Sequence, residues 1–167
     1  LFSPGSVDIV PILDRHRDAP GVHAWQHFFG SSGHTVPPDG PLVDAYRMRA
    51  RLETKTTAKT IVNPRAVYRP GVHQSKYWWG DSVDTEGGPV DDAAPKPMDL
   101  LRINHYWSRS IADLETKIAR GDASTAAPRD RDWHIAFESK LNEVEDDAIR
   151  PVAKAIRERR GTESGGR

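Results

Sequence analysis

Residues 101–121, LRINHYWSRSIADLETKIARG, constrain the fold more than any other stretch of this chain. An apolar run ends in Asn104-His105-Tyr106-Trp107, and Ser110-Ile111-Ala112-Asp113 follows as the start of a helix. A serine hydroxyl at such a start can accept an orphan backbone amide, and an acidic residue three positions on can answer it, so this is a capping-box pattern with Asp113 in place of the usual Glu. Gly121 then supplies a stop, because glycine tolerates the left-handed conformation in which many helices end. The segment predicts a strand over residues 100–106 leading directly into a helix that runs to about Arg120, with Lys117 and Arg120 on its polar side.

The rest of the chain is less sharply written. Ser6 can cap a helix over roughly Val7 to His16, ended by Asp18-Ala19-Pro20-Gly21. Val22 to Phe29 alternates loosely, with His23, Trp25, His27 and Phe29 on one face, and reads as a strand with an aromatic side. GSSGH (residues 30–34) reads as a loop whose glycines let amides and hydroxyls approach a ligand. A short amphipathic helix is expected over Pro41 to Arg51, and strands over Lys59 to Val62, Val67 to Tyr68 and Val72 to Trp79. Gly80 to Pro97, acidic and rich in Gly and Pro, is expected as an exposed loop or small lid. After a polar linker at residues 122–131, Trp133 to Ile149 reads as a helix. Pro151 either breaks that helix or begins a second piece through Arg159, before GTESGGR frays.

With 167 residues the chain suits one core, and 37% apolar content with five Trp is too aromatic for a disordered polymer. The 24 basic and 24 acidic residues balance, so nothing global draws the protein onto nucleic acid or an anionic membrane, and any anion site must be local. The absence of cysteine removes disulfides, thiolate zinc sites and Cys nucleophiles. No run approaches the ~20 apolar residues of a spanning helix and no signal peptide is visible, so a cytoplasmic location is expected. The chain opens on Leu1-Phe2 without Met, as if cut at the end of a strand, and a fragment is expected.

Several clusters can carry chemistry. His105, beside Asn104 at a strand end, is placed either to bind a metal or to hydrogen-bond within a packed strand. The helix behind it offers free N-terminal amides suited to a diphosphate, to which Lys117 and Arg120 add cationic donors; the same two residues would equally complement the helix dipole. Lys59 has the same two readings on its strand. Trp25 with Phe29 and His34 can form an acceptor surface for a sugar or belong to the core, and Trp78 and Trp79 are open between a clamp and plain packing. No HExxH, GxSxG or P-loop pattern occurs, and the His spacing gives no sign of a metal hydrolase.

Taken in order, AWQHFFGSSGH, KTIVNP, GVH, RINHYWSRS and the K-x-x-R-G at residues 117–121 resemble the glycosyltransferase family 2-like and family 92 proteins. The resemblance implies an α/β fold, part of a GT-A (Rossmann-like) domain with a mixed sheet and flanking helices. It would occupy residues 1–150 as the C-terminal, acceptor-side part, followed by a helical or frayed tail at 151–167. It implies metal-dependent, inverting transfer of a sugar from a nucleotide-sugar donor to a glycan or other hydroxyl acceptor, with Mn or Mg as the ion. By the same resemblance His105 would be a metal ligand, and Lys59, Lys117 and Arg120 would lie near the donor phosphates. Trp25 with Gly30, Ser31, Ser32, Gly33 and His34 would line the acceptor side. Arg109 stands where the family often has Lys before the capping Ser. Asp113 matches an acidic family position and is a candidate base, with His34 or Asp44 as other candidates. The family's Asp-x-Asp-Glu-Phe motif would precede Leu1, so little or no transfer is expected of this chain alone. A non-catalytic carbohydrate-binding or interaction remnant is the alternative.

Overall fold

The computed structural model describes residues 1–51, 57–91, 96–123, 125 and 127–164. In chain order these form α1 (Val10–Asp14), β1 (Gly21–Phe29), α2 (Leu42–Ala45), β2 (Met48–Arg49), β3 (Ala58–Val62), β4 (Val67–Arg69) and β5 (Lys76–Tyr77). There follow β6 (Ile103–Tyr106), α3 (Ile111–Arg120), α4 (Arg131–Glu138), β7 (Val144–Glu145) and α5 (Arg150–Ser164). The chain is thus mixed α/β, with antiparallel strand pairs and helices. It divides into two compact units, one of residues 1–26, 56–103 and 151 onward, the other of residues 27–55 and 104–150. No helix among the described residues is long and apolar enough to cross a membrane.

In the first unit β1 pairs antiparallel with β3 from Gly21 opposite Val62 to Trp25 opposite Ala58. Successive side chains of a strand point to opposite faces, and here both faces are covered. Ala24 packs with Ile12 and Leu101, whereas Trp25 packs with Ala58 and Met98. This explains why the alternation of β1 is loose: a strand buried on both sides has no solvent face to mark with polar residues. Its buried His23 is satisfied by Thr60, whose Oγ1 lies 2.9 Å from His23 Nδ1, and its amide donates to the Val83 carbonyl.

That last bond anchors part of the stretch expected as an exposed loop or small lid. Val83 lies beside β1 in a parallel bridge to Val22, and Thr85 is fully buried, so the described part of the 80–97 stretch is tied to the strand; residues 92–95 lie outside the described residues. β4 and β5 form a hairpin, shorter than the run expected over Val72 to Trp79. Trp78 and Trp79 are both exposed, and the Trp78 ring lies 5.0 Å from that of Tyr68. The first helix is shorter than expected: the Ser6 hydroxyl is engaged with Asp8, and no side chain caps Ile9 at the start of α1. Pro151 sits in the first turn of α5, where its missing N–H removes no helical bond, and the helix continues to Ser164 rather than ending at Arg159. Residues 165–167 lie outside the described residues.

In the second unit Phe29 pairs with Arg49, and β2 pairs antiparallel with β7. Two expected helices give way to this sheet. Ser32 Oγ accepts the amides of Arg47 and Met48 at 2.8 and 2.9 Å, so the 41–51 segment turns from a four-residue helix into β2. The helix expected to reach Ile149 stops at Glu138, followed by tight bonds from Lys140 and Leu141 back to Phe137 and Glu138 and by pairing of Val144 with Arg49. The α3 expectation holds at both ends. Ser110 Oγ accepts the Asp113 amide at 3.1 Å and donates to Asp113 Oδ2 at 2.9 Å, and Gly121 takes φ of 76° after the last turn.

Candidate functional site

Asp113, Thr116, Lys117 and Arg120 recur at the three- and four-residue spacing that puts them on one stripe of α3. That stripe forms one wall of a hollow of about 330 Å³, and the stretch from His105 to Arg109 forms the other. The opposite side of the helix buries Leu114 completely, which fixes the polar stripe outward toward the hollow. The chain turns into the helix through Arg109, whose φ of 55° is left-handed. That conformation brings a non-glycine Cβ close to the backbone and costs about 1–2 kcal/mol.

Lys117 is central. Its Nζ donates to the Trp107 carbonyl at 2.9 Å and lies 3.9 Å from the centroid of the Trp107 ring, so amide and aromatic face both hold the cation. Its pKa is lowered to about 8, first by burial and then by Arg129, Arg120 and Arg109. Arg129 is engaged elsewhere, donating to the Gly121 carbonyl at 2.8 Å and standing 3.6 Å from Asp122. Among the described residues no ion pair joins Arg109 or Arg120 to a carboxylate. The one carboxylate in the lining, Asp113, is bonded to Ser110. The hollow is therefore a place of unbalanced positive charge, which an anion would relieve.

The helix N-terminus itself does not contribute free amides, contrary to expectation. Ile111 and Ala112 donate to the carbonyls of His34 and Thr35, Asp113 to Ser110 Oγ, and Leu114 to the Ser110 carbonyl. The amides of Ile111, Ala112 and Asp113, orphans of the first turn, are thus taken up within the protein, and that of Leu114 makes the first regular helical bond, so an anion would meet side chains rather than these amides.

The GSSGH loop has a structural account. Ser31 is buried and its amide donates to Glu138 Oε1 at 2.9 Å; the Ser32 amide donates to Asn142 Oδ1 at 2.8 Å; and a Cβ at Gly30 would fall 2.5 Å from that same oxygen. Ser32 and Gly33 take left-handed φ of 52° and 82°. His34 Nε2 stands 3.2 Å from the Ala45 carbonyl, a contact that a proton on that nitrogen satisfies, and its ring packs edge-on to Tyr46. Asp44 pairs with Arg150 at 3.9 Å. In the first unit, Trp25 is only 2% exposed, with Lys96 Nζ 4.4 Å from its ring, and Lys59 Nζ donates to the Val72 carbonyl at 3.0 Å.

Of the residues singled out from sequence, His105, Asp113, Lys117 and Arg120 thus line one hollow together with Arg109. His105 also stacks on Phe28 at 4.9 Å. A divalent cation suits this lining poorly. Beside one imidazole and one hydrogen-bonded carboxylate stand three cationic side chains, whereas hard cations are held mainly by several carboxylate or carbonyl oxygens. Nor do the described residues contain a group of three or more His, Asp or Glu side chains arranged for a metal.

Three participants escaped the sequence reading. The Trp107 ring and carbonyl hold Lys117; Thr116 shares the stripe of Asp113 and Arg120, a spacing that does mark it; and Glu138 organises the loop. Glu138 is buried, and besides the Ser31 amide its carboxylate accepts from Ser108 Oγ and, at 2.7 Å, from Asn142 Nδ2. Nothing in an amphipathic helix distinguishes such a glutamate from a solvated one. Compared with known proteins, the chain matches no family model, no curated protein and no solved structure.

Proposed function

We propose that the α3 hollow binds the phosphate groups of a nucleotide-derived ligand, as the donor side of a GT-A-like, nucleotide-sugar glycosyltransferase acting on a hydroxyl acceptor. The observation that carries this reading is the convergence of Arg109, Lys117 and Arg120 on one hollow with a single, already bonded carboxylate. Such cations hold a diphosphate through charge-assisted hydrogen bonds and offset the negative charge that grows on a nucleoside diphosphate as it leaves. Trp107, clamped under Lys117, keeps that ammonium in place before the ligand arrives. The sugar-transfer part rests on the sequence resemblance. The lining favours anions over a metal, and Asp113 could act as a base only by giving up its bond to Ser110.

Titrating the chain with UDP and with inorganic pyrophosphate, followed by amide chemical shifts, tests the reading. Shifts should centre on residues 105–120, and Arg120→Ala or Lys117→Met should each weaken binding about tenfold, the effect of losing one charge-assisted hydrogen bond. Binding of both ligands that is indifferent to the two substitutions would overturn it.

A further inference from the structure

A second hollow, of about 280 Å³, lies in the first unit, between the end of the β4–β5 hairpin and the segment that returns past Pro89 and Val90. Its polar lining comes from Gln74, Ser75, Tyr77, Asp81 and Ser82, and among the described residues no Lys, Arg or His lines it. Its chemistry is therefore the reverse of the α3 hollow: hydroxyls, an amide and a carboxylate, with no cation to hold a phosphate.

The walls are fixed by bonds that reach into the sheet. The Val83 amide donates to the Gly21 carbonyl at 2.9 Å and the Val83 carbonyl accepts from His23 at 2.7 Å, which anchors the Ser82 rim on β1. Val83 also bridges Pro89, holding the opposite rim, and Val90 packs against the Trp25, Ala58 and Met98 cluster. Tyr77 Oη and Ser82 Oγ are 2.8 Å apart, and the room for this pair depends on Gly21, where a Cβ would come within 2.6 Å of Tyr77 Oη. Ser75 Oγ accepts the Gly71 amide, leaving its own proton to donate. The site is built before any ligand enters.

We infer that this hollow is a binding site for one neutral sugar ring. Pockets for drug-sized ligands run to about 300–1,000 Å³, so this one suits a single small ring. The Gln74 amide offers both donor and acceptor, Asp81 only acceptors, and Ser75 a donor; a ligand carrying several hydroxyls, each of which donates and accepts, satisfies all of them. An ammonium ligand would engage Asp81 but leave the Gln74 N–H groups and the Ser75 proton without partners. Pro89 and Val90 give the apolar face of the ring something to cover. The assignment is independent of the phosphate reading.

The test is a titration of the isotope-labelled chain with millimolar glucose, galactose, mannose and N-acetylglucosamine, with putrescine as the cationic arm and inorganic pyrophosphate as the probe of the α3 hollow. At least one sugar should shift amides at residues 74–82 and 89–90. The response should be lost in Asp81→Ala and weakened about tenfold in Gln74→Ala, each the loss of hydrogen bonds made in a partly desolvated site. Both side chains are at exposed positions, and Asp81→Asn gives a second reading if Asp81→Ala loses spectral dispersion. No response to any of the four sugars, sugar shifts that survive both Asp81 variants, or a response to putrescine alone would overturn the inference. An unchanged pyrophosphate response in the same samples would show that the phosphate reading stands apart from that failure.

Discussion

Lys117 shows how one residue can report on the whole site. Its pKa in the fold, about 8, lies below the ordinary 10.5. Between those values the unfolded chain keeps a proton that the folded chain has released, so stability rises with pH across that window; below it the fold carries the cost of a charged, half-buried ammonium. Tyr46 works in the opposite sense, since burial raises its pKa and stability falls once the unfolded phenol ionises. Comparing urea midpoints of the wild type and Lys117→Met at about pH 8 and at about pH 10 isolates the lysine: the gain with pH should be smaller in the variant. Pyrophosphate, by stabilising the ammonium, should take up a proton on binding near that pKa, visible as a buffer-dependent heat. Glu138 makes a different kind of prediction. Glu138→Ala strands the Ser31 amide, the Ser108 hydroxyl and the Asn142 amide in a buried place and should cost about 3 kcal/mol in urea denaturation, with Glu138→Gln costing less because one oxygen still accepts.

At the level of elements, α3 is legible because the side-chain signals that start and stop it, the Ser110 hydroxyl, Asp113 and Gly121, lie within its own few residues, although His34 and Thr35 also hold two of its first amides. Ser110→Ala should accordingly cost about 1 kcal/mol and lower the melting temperature without moving the ends of the other helices. The segments after α2 and α4 are not legible in this way, for the opposite reason. Arg47 and Met48 are claimed by Ser32, and Val144 by Arg49, across separations that no periodicity records. The 80–97 stretch is legible only in part: its described residues form an irregular segment, exposed or half-buried apart from Thr85, but a Gly- and Pro-rich acidic composition says nothing of the two backbone bonds through which Val83 holds β1. The candidate site divides along the same line. His105, Asp113, Lys117 and Arg120 are neighbours in sequence and could be read together, whereas the buried state of Trp25 depends on Ala58 and Met98, far along the chain.

For the whole molecule, a net charge of zero hides a local excess of cations around the hollow beside α3 and, in the other unit, a hollow whose described lining carries none. The two should therefore answer differently to salt. Raising ionic strength shortens the Debye length from about 10 Å at 0.1 M to about 3 Å at 1 M, so pyrophosphate affinity should fall steeply while any sugar response changes little. Equal salt dependence at both hollows would contradict the charge assignment.

Arg109 occupies a backbone geometry that glycine would adopt freely, and it does so at the rim of the cationic hollow. Replacing it with glycine relieves the steric clash and removes a positive group in one stroke, though glycine returns part of the gain as extra freedom of the unfolded chain. If the hollow holds phosphate as proposed, robustness and ligand affinity would thus be set against each other at a single position. Under the proposed phosphate binding, the arginine is the residue of a site in which contact with the ligand outweighs ease of the backbone.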